Sequence, residues 1–181
     1  MNLKTKIEGL LFVSDIPLSL EKLEETLEEE IDRKELEEAL KELTEEYLSQ
    51  GRAFVPQPVA GGYQFRTRPE IAPYAIRLKK KTPSKLSKAA LETLAVIAYR
   101  QPILRAEIEK IRGVEASGVL RALMDKDLVR VSGRRDSLPG KPALYSTTDK
   151  FLETFGLSSL KSLPTINEIQ NFCREAEPRL F

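Results

Sequence analysis

The sequence predicts a mainly α-helical chain with small β-hairpins, an α+β class, in which one plan of elements occurs twice. Apolar residues recur at helical spacing along most of its 181 residues. Two β-prone runs, each divided by proline and glycine, interrupt the helices. A shift of 85 positions places Pro17 on Pro102 and Leu23 on Ile108, so both copies share a break before their second helix. The sequence therefore indicates two small domains rather than one large one.

Three helices are expected at the start of the first copy. Pro17 ends the first helix, because proline disfavours helical geometry at the residue before it. Ser19 and Asp32 are N-cap residue types that should begin the second and third helices, and Gly51 follows the third. The apolar stripes comprise Leu3, Ile7, Leu10 and Leu11 in the first helix, Leu20, Leu23 and Leu27 in the second, and Leu36, Leu40, Leu43 and Tyr47 in the third.

A hairpin and a fourth helix complete the first copy. The run "AFVPQPVAGGYQFRT", residues 53–67, has β-prone ends around a middle rich in proline and glycine. Pro56 and Pro58 restrict its first strand to a sheet edge, because proline has no N–H to donate. The fourth helix should close the unit with Ile71, Tyr74, Ala75 and Leu78 on one face.

The second copy repeats this order after the charged run "KKKTPSK". Ser87 is expected to cap its first helix, "RQPI" breaks the chain, and Gly113 ends its second helix. A basic hairpin follows, and a last helix should run from Asp149 to Phe155 with Gly156 as its C-cap. The predicted stripes are Leu91, Leu94, Ala95 and Ala98, then Leu104, Ile108 and Ile111, then Leu120, Leu123 and Met124.

Three helices followed by a hairpin are typical of the winged-helix variant of the helix-turn-helix, with the hairpin as the wing. The sequence thus predicts tandem winged-helix domains at residues 1–80 and 87–157, joined by a linker at 81–86. Residues 158–181 have weak periodicity and contain two prolines. They are expected to form a flexible tail or a segment that becomes ordered on a partner.

Composition argues against an enzyme. The chain has no histidine, which removes the commonest proton shuttle and metal ligand, and it has no phosphate-binding loop or nucleophile elbow. Its acids cluster in helical runs such as "EKLEETLEEE", where solvated faces are expected. We therefore expect no catalytic residue, no metal and no cofactor.

The composition also favours a reducing, non-membrane environment. Cys173 is the single cysteine, so no intrachain disulfide can form. The segment "MNLKTKIEGLLFVS" reads as a helix rather than a signal peptide. No run approaches the ~20 apolar residues of a transmembrane helix. The expected location is the cytoplasm.

A winged helix often reads DNA, but the charges disfavour that function here. Residues 1–70 carry nine Lys/Arg against sixteen Asp/Glu, and the third helix of this copy is strongly acidic, so phosphate repels it. In the second copy Arg121 and Lys126 are countered by Asp125 and Asp127. A winged-helix transcription factor, the alternative function, needs a basic third helix that the chain lacks. Any DNA contact should be weak and limited to the linker and second wing.

The second wing, "GRRDSLPGKPALYSTT", and the turn "YRQPILR" form a candidate partner-binding face. Their arginines could pair with acids of a protein partner, and tyrosines are enriched at interfaces. Alternatively, the tyrosines complete the core and Asp136 ties the wing to itself. The candidate residues are Tyr99, Arg100, Gln101, Pro102, Arg105, Arg134, Arg135, Asp136, Pro139, Gly140 and Tyr145.

The second copy closely resembles the segregation and condensation protein ScpB family. The resemblance is carried by "LSKAALETLAVIAYRQPILRAEIEKIRGV", "GVLRALMDKDLV" and "GRRDSLPGKPALYSTTDKFLETFGLSSLKSLP". The first copy is similar mainly in arrangement, opening with "IEGLLFVSDIPLSLEKL". Ser137 and Leu138 lengthen the wing relative to the family pattern.

This resemblance implies a specific role. ScpB proteins are non-enzymatic subunits of bacterial condensin with two winged-helix domains, and they form homodimers largely through the N-terminal domain. They bind the kleisin ScpA, which bridges the heads of the SMC ATPase, and the complex condenses and segregates chromosomes. The resemblance thus implies dimerisation through residues 1–80, kleisin binding through 87–157, and a cytoplasmic, nucleoid-associated location.

Overall fold

The computed structural model describes residues 1–28, 31–79, 86–165 and 167–169. It confirms the predicted class, mainly helical with small antiparallel sheets. The elements are α1 (Leu3–Val13), α2 (Leu20–Leu27), α3 (Arg33–Ser49), β1 (Phe54–Val59), β2 (Gly62–Thr67), α4 (Ala72–Lys79), α5 (Lys88–Arg100), β3 (Ile103–Leu104), α6 (Arg105–Arg112), α7 (Ser117–Asp125), β4 (Val129–Arg134), β5 (Ala143–Thr147) and α8 (Asp149–Phe155), with 3-10 turns at Pro69–Ile71 and Leu160–Ser162.

The predicted helix caps are confirmed. The side chain of Ser19 accepts a hydrogen bond from the backbone N–H of Lys22, and Ser87 accepts one from Ala90, each at 3.2 Å. Asp32 caps α3 in the same way. At the other end of the fold α8 ends at Gly156, whose φ of 66° is the left-handed geometry that glycine tolerates. These local signals fix where the helices begin and end.

The first hydrophobic core lies between α1, α2, α3 and the β1–β2 hairpin. Its predicted members Ile7, Leu23 and Leu40 are fully buried. Leu18 joins the hairpin to the helices, because its N–H donates to Tyr63 O at 2.9 Å and its carbonyl accepts from Tyr63 N at 2.8 Å. The hairpin is thereby held against the turn that precedes α2.

The second core lies between α5, α6, α7, α8 and a three-stranded sheet of order β3-β5-β4. Ile97, Ile108 and Leu123 are fully buried in it. The sequence did not indicate β3, a two-residue strand in which Ile103 pairs with Tyr145. A bulge between Val131 and Gly133 interrupts the pairing of β4 with β5.

Some residues of the predicted apolar stripes lie on the surface rather than in a core. Leu91 of α5 is 46 % exposed, Ile111 of α6 is 54 % exposed and Leu78 of α4 is 84 % exposed. Ala95 and Tyr74 are exposed as well. Helical spacing identifies an apolar face, but it does not say whether another element covers that face.

Candidate partner-binding site

The turn before α6 and the second wing lie side by side, because β3 pairs with β5. Ile103 lies opposite Tyr145, and Leu104 lies opposite Leu144. Two segments separated in the sequence by helices α6 and α7 and strand β4 therefore share one sheet. This pairing places the two predicted segments on a common face of the second unit.

A surface hollow of about 370 Å³ lies beside this sheet. Three predicted residues, Arg100, Pro102 and Arg135, line it together with Ile103, Glu107, Lys110 and Ile111. Arg135 Nη1 contacts Glu107 Oε1 at 3.2 Å. The backbone N–H of Leu104 and then this guanidinium hold the pKa of Glu107 below its ordinary value. The hollow combines three cationic side chains, one carboxylate and apolar walls.

The tip of the second wing is exposed and closed on itself by an ion pair and a hydrogen bond. Asp136 Oδ1 lies 3.1 Å from Lys141 Nζ, and Arg134 Nη1 donates to the carbonyl oxygen of Lys141 at 3.1 Å. Pro139 and Gly140 form the exposed turn, with Gly140 at a φ of 77°. The contact of Asp136 matches the alternative in which it ties the wing to itself, and the guanidinium of Arg134 stays exposed.

Gln101 and Tyr145 face the unit's own core. Gln101 Oε1 accepts from Thr147 N at 2.8 Å and from Thr147 Oγ1 at 3.0 Å, while its Nε2 donates to Ala98 O at 3.1 Å. The ring of Tyr145 is half-buried against the second core. Both residues thus hold the wing to the helical part of the unit, and they support the face from its core side.

Arg105 and Tyr99 lie at the edges of the face. Arg105 donates to Ser117 Oγ at 3.0 Å, which joins the start of α6 to the start of α7. Tyr99, 42 % exposed, donates its hydroxyl to the carbonyl oxygen of Pro164 at 2.6 Å. This second bond fastens residues following α8 to the end of α5.

An apolar groove of about 330 Å³ beside α5 did not emerge from the sequence. Leu91 and Phe155, 46 % and 45 % exposed, contribute to its open side. The spacing of Leu91, Ala95 and Tyr99 at i, i+4 and i+8 could have indicated a second apolar stripe on α5. The residues that line the groove include Leu91, Ala95, Tyr99, Phe155, Leu163 and Pro164.

Within residues 1–28, 31–79, 86–165 and 167–169, no three acidic, cysteine or histidine side chains converge in a way that could hold a metal ion. In the same ranges, every helix is too short or too polar to cross a bilayer. The fold is that of a chain with two winged-helix units, the second of which carries a surface hollow with basic and apolar walls.

The comparisons with known proteins give the family. The family model described as "Segregation and condensation complex subunit ScpB" matches residues 5–166, so the chain belongs to this family of chromosome segregation and condensation subunits. Segregation and condensation protein B of Syntrophotalea carbinolica is 48 % identical over 181 residues, covering 100 % of this chain and 90 % of the relative. The Moorella thermoacetica protein is 46 % identical, covering 98 % and 91 %.

Solved structures of related proteins were also found. ScpB from Mycobacterium tuberculosis is 33 % identical, covering 86 % of this chain and 95 % of that one, with a TM-score of 0.40. A dimer of an ScpB N-terminal domain complexed with ScpA peptide is 29 % identical, covering 41 % and 91 %, with a TM-score of 0.38.

Proposed function

We propose that this chain binds the kleisin ScpA through its second unit and thereby joins the SMC ATPase in condensing and segregating chromosomes. Membership of the ScpB family supports the proposal that this chain is a subunit of that complex. The main support for the location of the binding face is the pairing of β3 with β5. This pairing brings Arg100, Pro102 and Arg135 around one hollow.

The charge of the hollow suits an acidic, amphipathic segment of the kleisin. Arg100, Lys110 and Arg135 outnumber the single carboxylate of Glu107, and Ile103 and Ile111 supply apolar contact. Complementary charge steers a partner into register, while burial of apolar and aromatic groups supplies most of the affinity. The neighbouring groove beside α5 extends the apolar part of this face.

The individual residues contribute differently to this proposal. Arg100, Pro102, Arg134 and the Pro139-Gly140 turn are exposed and can contact a partner directly. Arg135 and Asp136 would first exchange their present ionic contacts for those of the partner. Contact with DNA is proposed to be weak and to run through the exposed arginines of the wing and through the linker, whose residues 81–85 lie outside the part of the chain that the structure describes.

Single alanine substitutions of Arg100, Arg105, Arg134 and Tyr145 test the binding face. For Arg100 and Arg134 we expect a loss of more than about 1 kcal/mol in affinity for ScpA, roughly fivefold or more, with an unchanged melting temperature. Calorimetric titration of the full chain measures affinity, and Arg121→Ala on α7, an exposed arginine that lines neither recess, is the matched control. Unchanged affinity in all four variants, or losses that only follow unfolding, would refute the face.

We also propose that the first unit forms the homodimer. Its exposed apolar residues include Phe12 at 78 %, Val13 at 80 % and Leu78 at 84 %. Side chains of this size at such exposure commonly mark an interface. We include α4 in the proposed dimer interface because the rest of the described first unit leaves Leu78 and Tyr74 uncovered.

Sedimentation of the full chain tests this dimer. The wild-type chain is expected to sediment as a dimer at micromolar concentration, and Phe12→Asp or Leu78→Asp should shift it to monomer, because a buried carboxylate is costly. Leu160→Asp, at an exposed leucine after α8, is the control and should remain dimeric. A monomeric wild-type chain contradicts the proposal.

A further inference from the structure

The turn of the first hairpin contacts the segment that follows α8, far away in the sequence. Ala60 N–H donates to the carbonyl oxygen of Leu157 at 2.9 Å, and Gly61 N–H donates to that of Ser158 at 2.9 Å. The turn N–H groups of a two-residue hairpin ordinarily face water, since the ladder uses neither of them. Here one is engaged by Leu157, the last residue of the second unit, and the other by Ser158, which directly follows it.

A third hydrogen bond to the second unit comes from β2. Arg66 Nη2 donates to the carbonyl oxygen of Glu153, in the last turn of α8, at 2.9 Å. The last turn of a helix carries carbonyl groups without helical partners and the negative end of the helix dipole, so a guanidinium is favoured there. Arg66 Nε is buried and bonds to nothing within the described residues, which shows how closely this side chain is enclosed.

The backbone of the hairpin turn has a well-defined geometry. Ala60 and Gly61 have φ values of 49° and 74°, the left-handed geometry of a type I′ turn. Alanine adopts this region at a cost that glycine avoids. The turn therefore presents two adjacent N–H donors from a rigid hairpin rather than from an adaptable loop.

The acceptor side is fixed as well. Leu157 and Leu163 pack against the second core, and Pro164 accepts the hydroxyl of Tyr99 at 2.6 Å. The carbonyl groups that receive the hairpin therefore lie on a segment fastened to α5 and α8. A contact at this place connects the wing of the first unit to the core of the second.

We infer that these residues form an interdomain latch, with Ala60, Gly61 and Arg66 as donors and Glu153, Leu157 and Ser158 as acceptors, which holds the two units in one orientation within the full chain. Three hydrogen bonds, one of them charge-assisted, favour this orientation over freely moving units. A partner that spans both units then meets a preformed surface and loses less conformational entropy on binding. The inference concerns the chain alone and does not depend on the kleisin proposal.

Amide hydrogen exchange of the full chain tests the latch at its donors. We expect Ala60 and Gly61 to exchange about tenfold or more slowly than Gly140, a turn glycine of similar φ whose N–H bonds to nothing among the described residues. Arg66→Ala should accelerate exchange at Ala60 and Gly61 severalfold while the β1–β2 ladder amides stay protected. Arg68→Ala, which removes only a local ion pair with Glu70, should leave the exchange rates of Ala60 and Gly61 unchanged.

A distance measurement tests the orientation without relying on any destabilising variant. Spin labels at Gln57→Cys and Lys161→Cys, in a Cys173→Ser chain diluted with unlabelled protein, report the separation of the units within one chain. A single narrow distance distribution that broadens in Arg66→Ala and persists in Arg68→Ala supports the latch. A broad distance distribution in the chain that retains Arg66 overturns the latch. Amide exchange of Gly61 as fast as that of Gly140 overturns it as well.

Discussion

Replacing Gly62 by alanine is expected to destabilise the first unit by about 3 kcal/mol. A Cβ atom at this position would lie 2.5 Å from the backbone carbonyl carbon and oxygen of Leu18 and 2.8 Å from Ser19 N, and backbone cannot rotate away as a side chain can. The hairpin would have to move from Leu18, which breaks the two hydrogen bonds between Leu18 and Tyr63. Overpacking and these lost bonds add to the expected cost.

Urea unfolding measures this effect, and another glycine provides an internal control. Gly9 lies in α1, and an added Cβ there meets no atom within 4 Å. Gly9→Ala should therefore stabilise the chain by about 0.5–1 kcal/mol, because alanine loses less entropy in a helix. A Gly62→Ala chain as stable as wild type would show that the close approach to Leu18 is not required.

Replacing Tyr47 by alanine is expected to cost about 3–5 kcal/mol of the free energy of unfolding. Tyr47 is 4 % exposed, and its ring centroid lies 5.6 Å from that of Phe54 and 5.2 Å from that of Phe65. The cavity left by alanine would separate α3 from the hairpin. Tyr47→Phe, the matched variant, keeps the ring and loses only the hydroxyl that donates to Glu8, at a cost of about 1 kcal/mol.

The same residue gives the chain a dependence on alkaline pH. Burial, followed by the hydrogen bond to Glu8, raises the pKa of Tyr47 from 10.0 to about 12. A tyrosine in the unfolded chain ionises near pH 10 while folded Tyr47 remains neutral, so its stabilisation is complete below pH 10 and is lost as the pH rises towards 12. Unfolding experiments across this window should show a steeper loss for wild type than for Tyr47→Phe; equal slopes would contradict the assignment.

The sequence by itself determined the helices, their caps and the two hairpins. Ser19, Asp32 and Ser87 cap helices because a side-chain oxygen reaches an N–H of the same turn, which is a local interaction. Gly156 ends α8 for a similarly local reason. The buried stripes of α1 to α3 also follow from spacing, since their members recur at the helical period.

The candidate binding face was only partly determined in this way. The sequence indicated Arg100, Pro102 and Arg135 among the candidate binding residues, and the structure places these three around one hollow. It did not reveal that Gln101 bonds to Thr147 inside the unit, because that bond joins residues on two different elements. The groove beside Leu91 was missed for the same reason.

Only the tertiary structure decided which apolar faces are covered and which segments meet across the chain. Strand β3 exists because β5 lies beside it, since a two-residue strand has no stability of its own. Leu91 and Leu78 have the spacing of core residues, yet no packed element encloses them within the described chain. The contact of Gly61 with Ser158 depends on how the two units are placed relative to each other. Because the energy of that placement comes from non-local hydrogen bonds, no periodicity in the sequence encodes it.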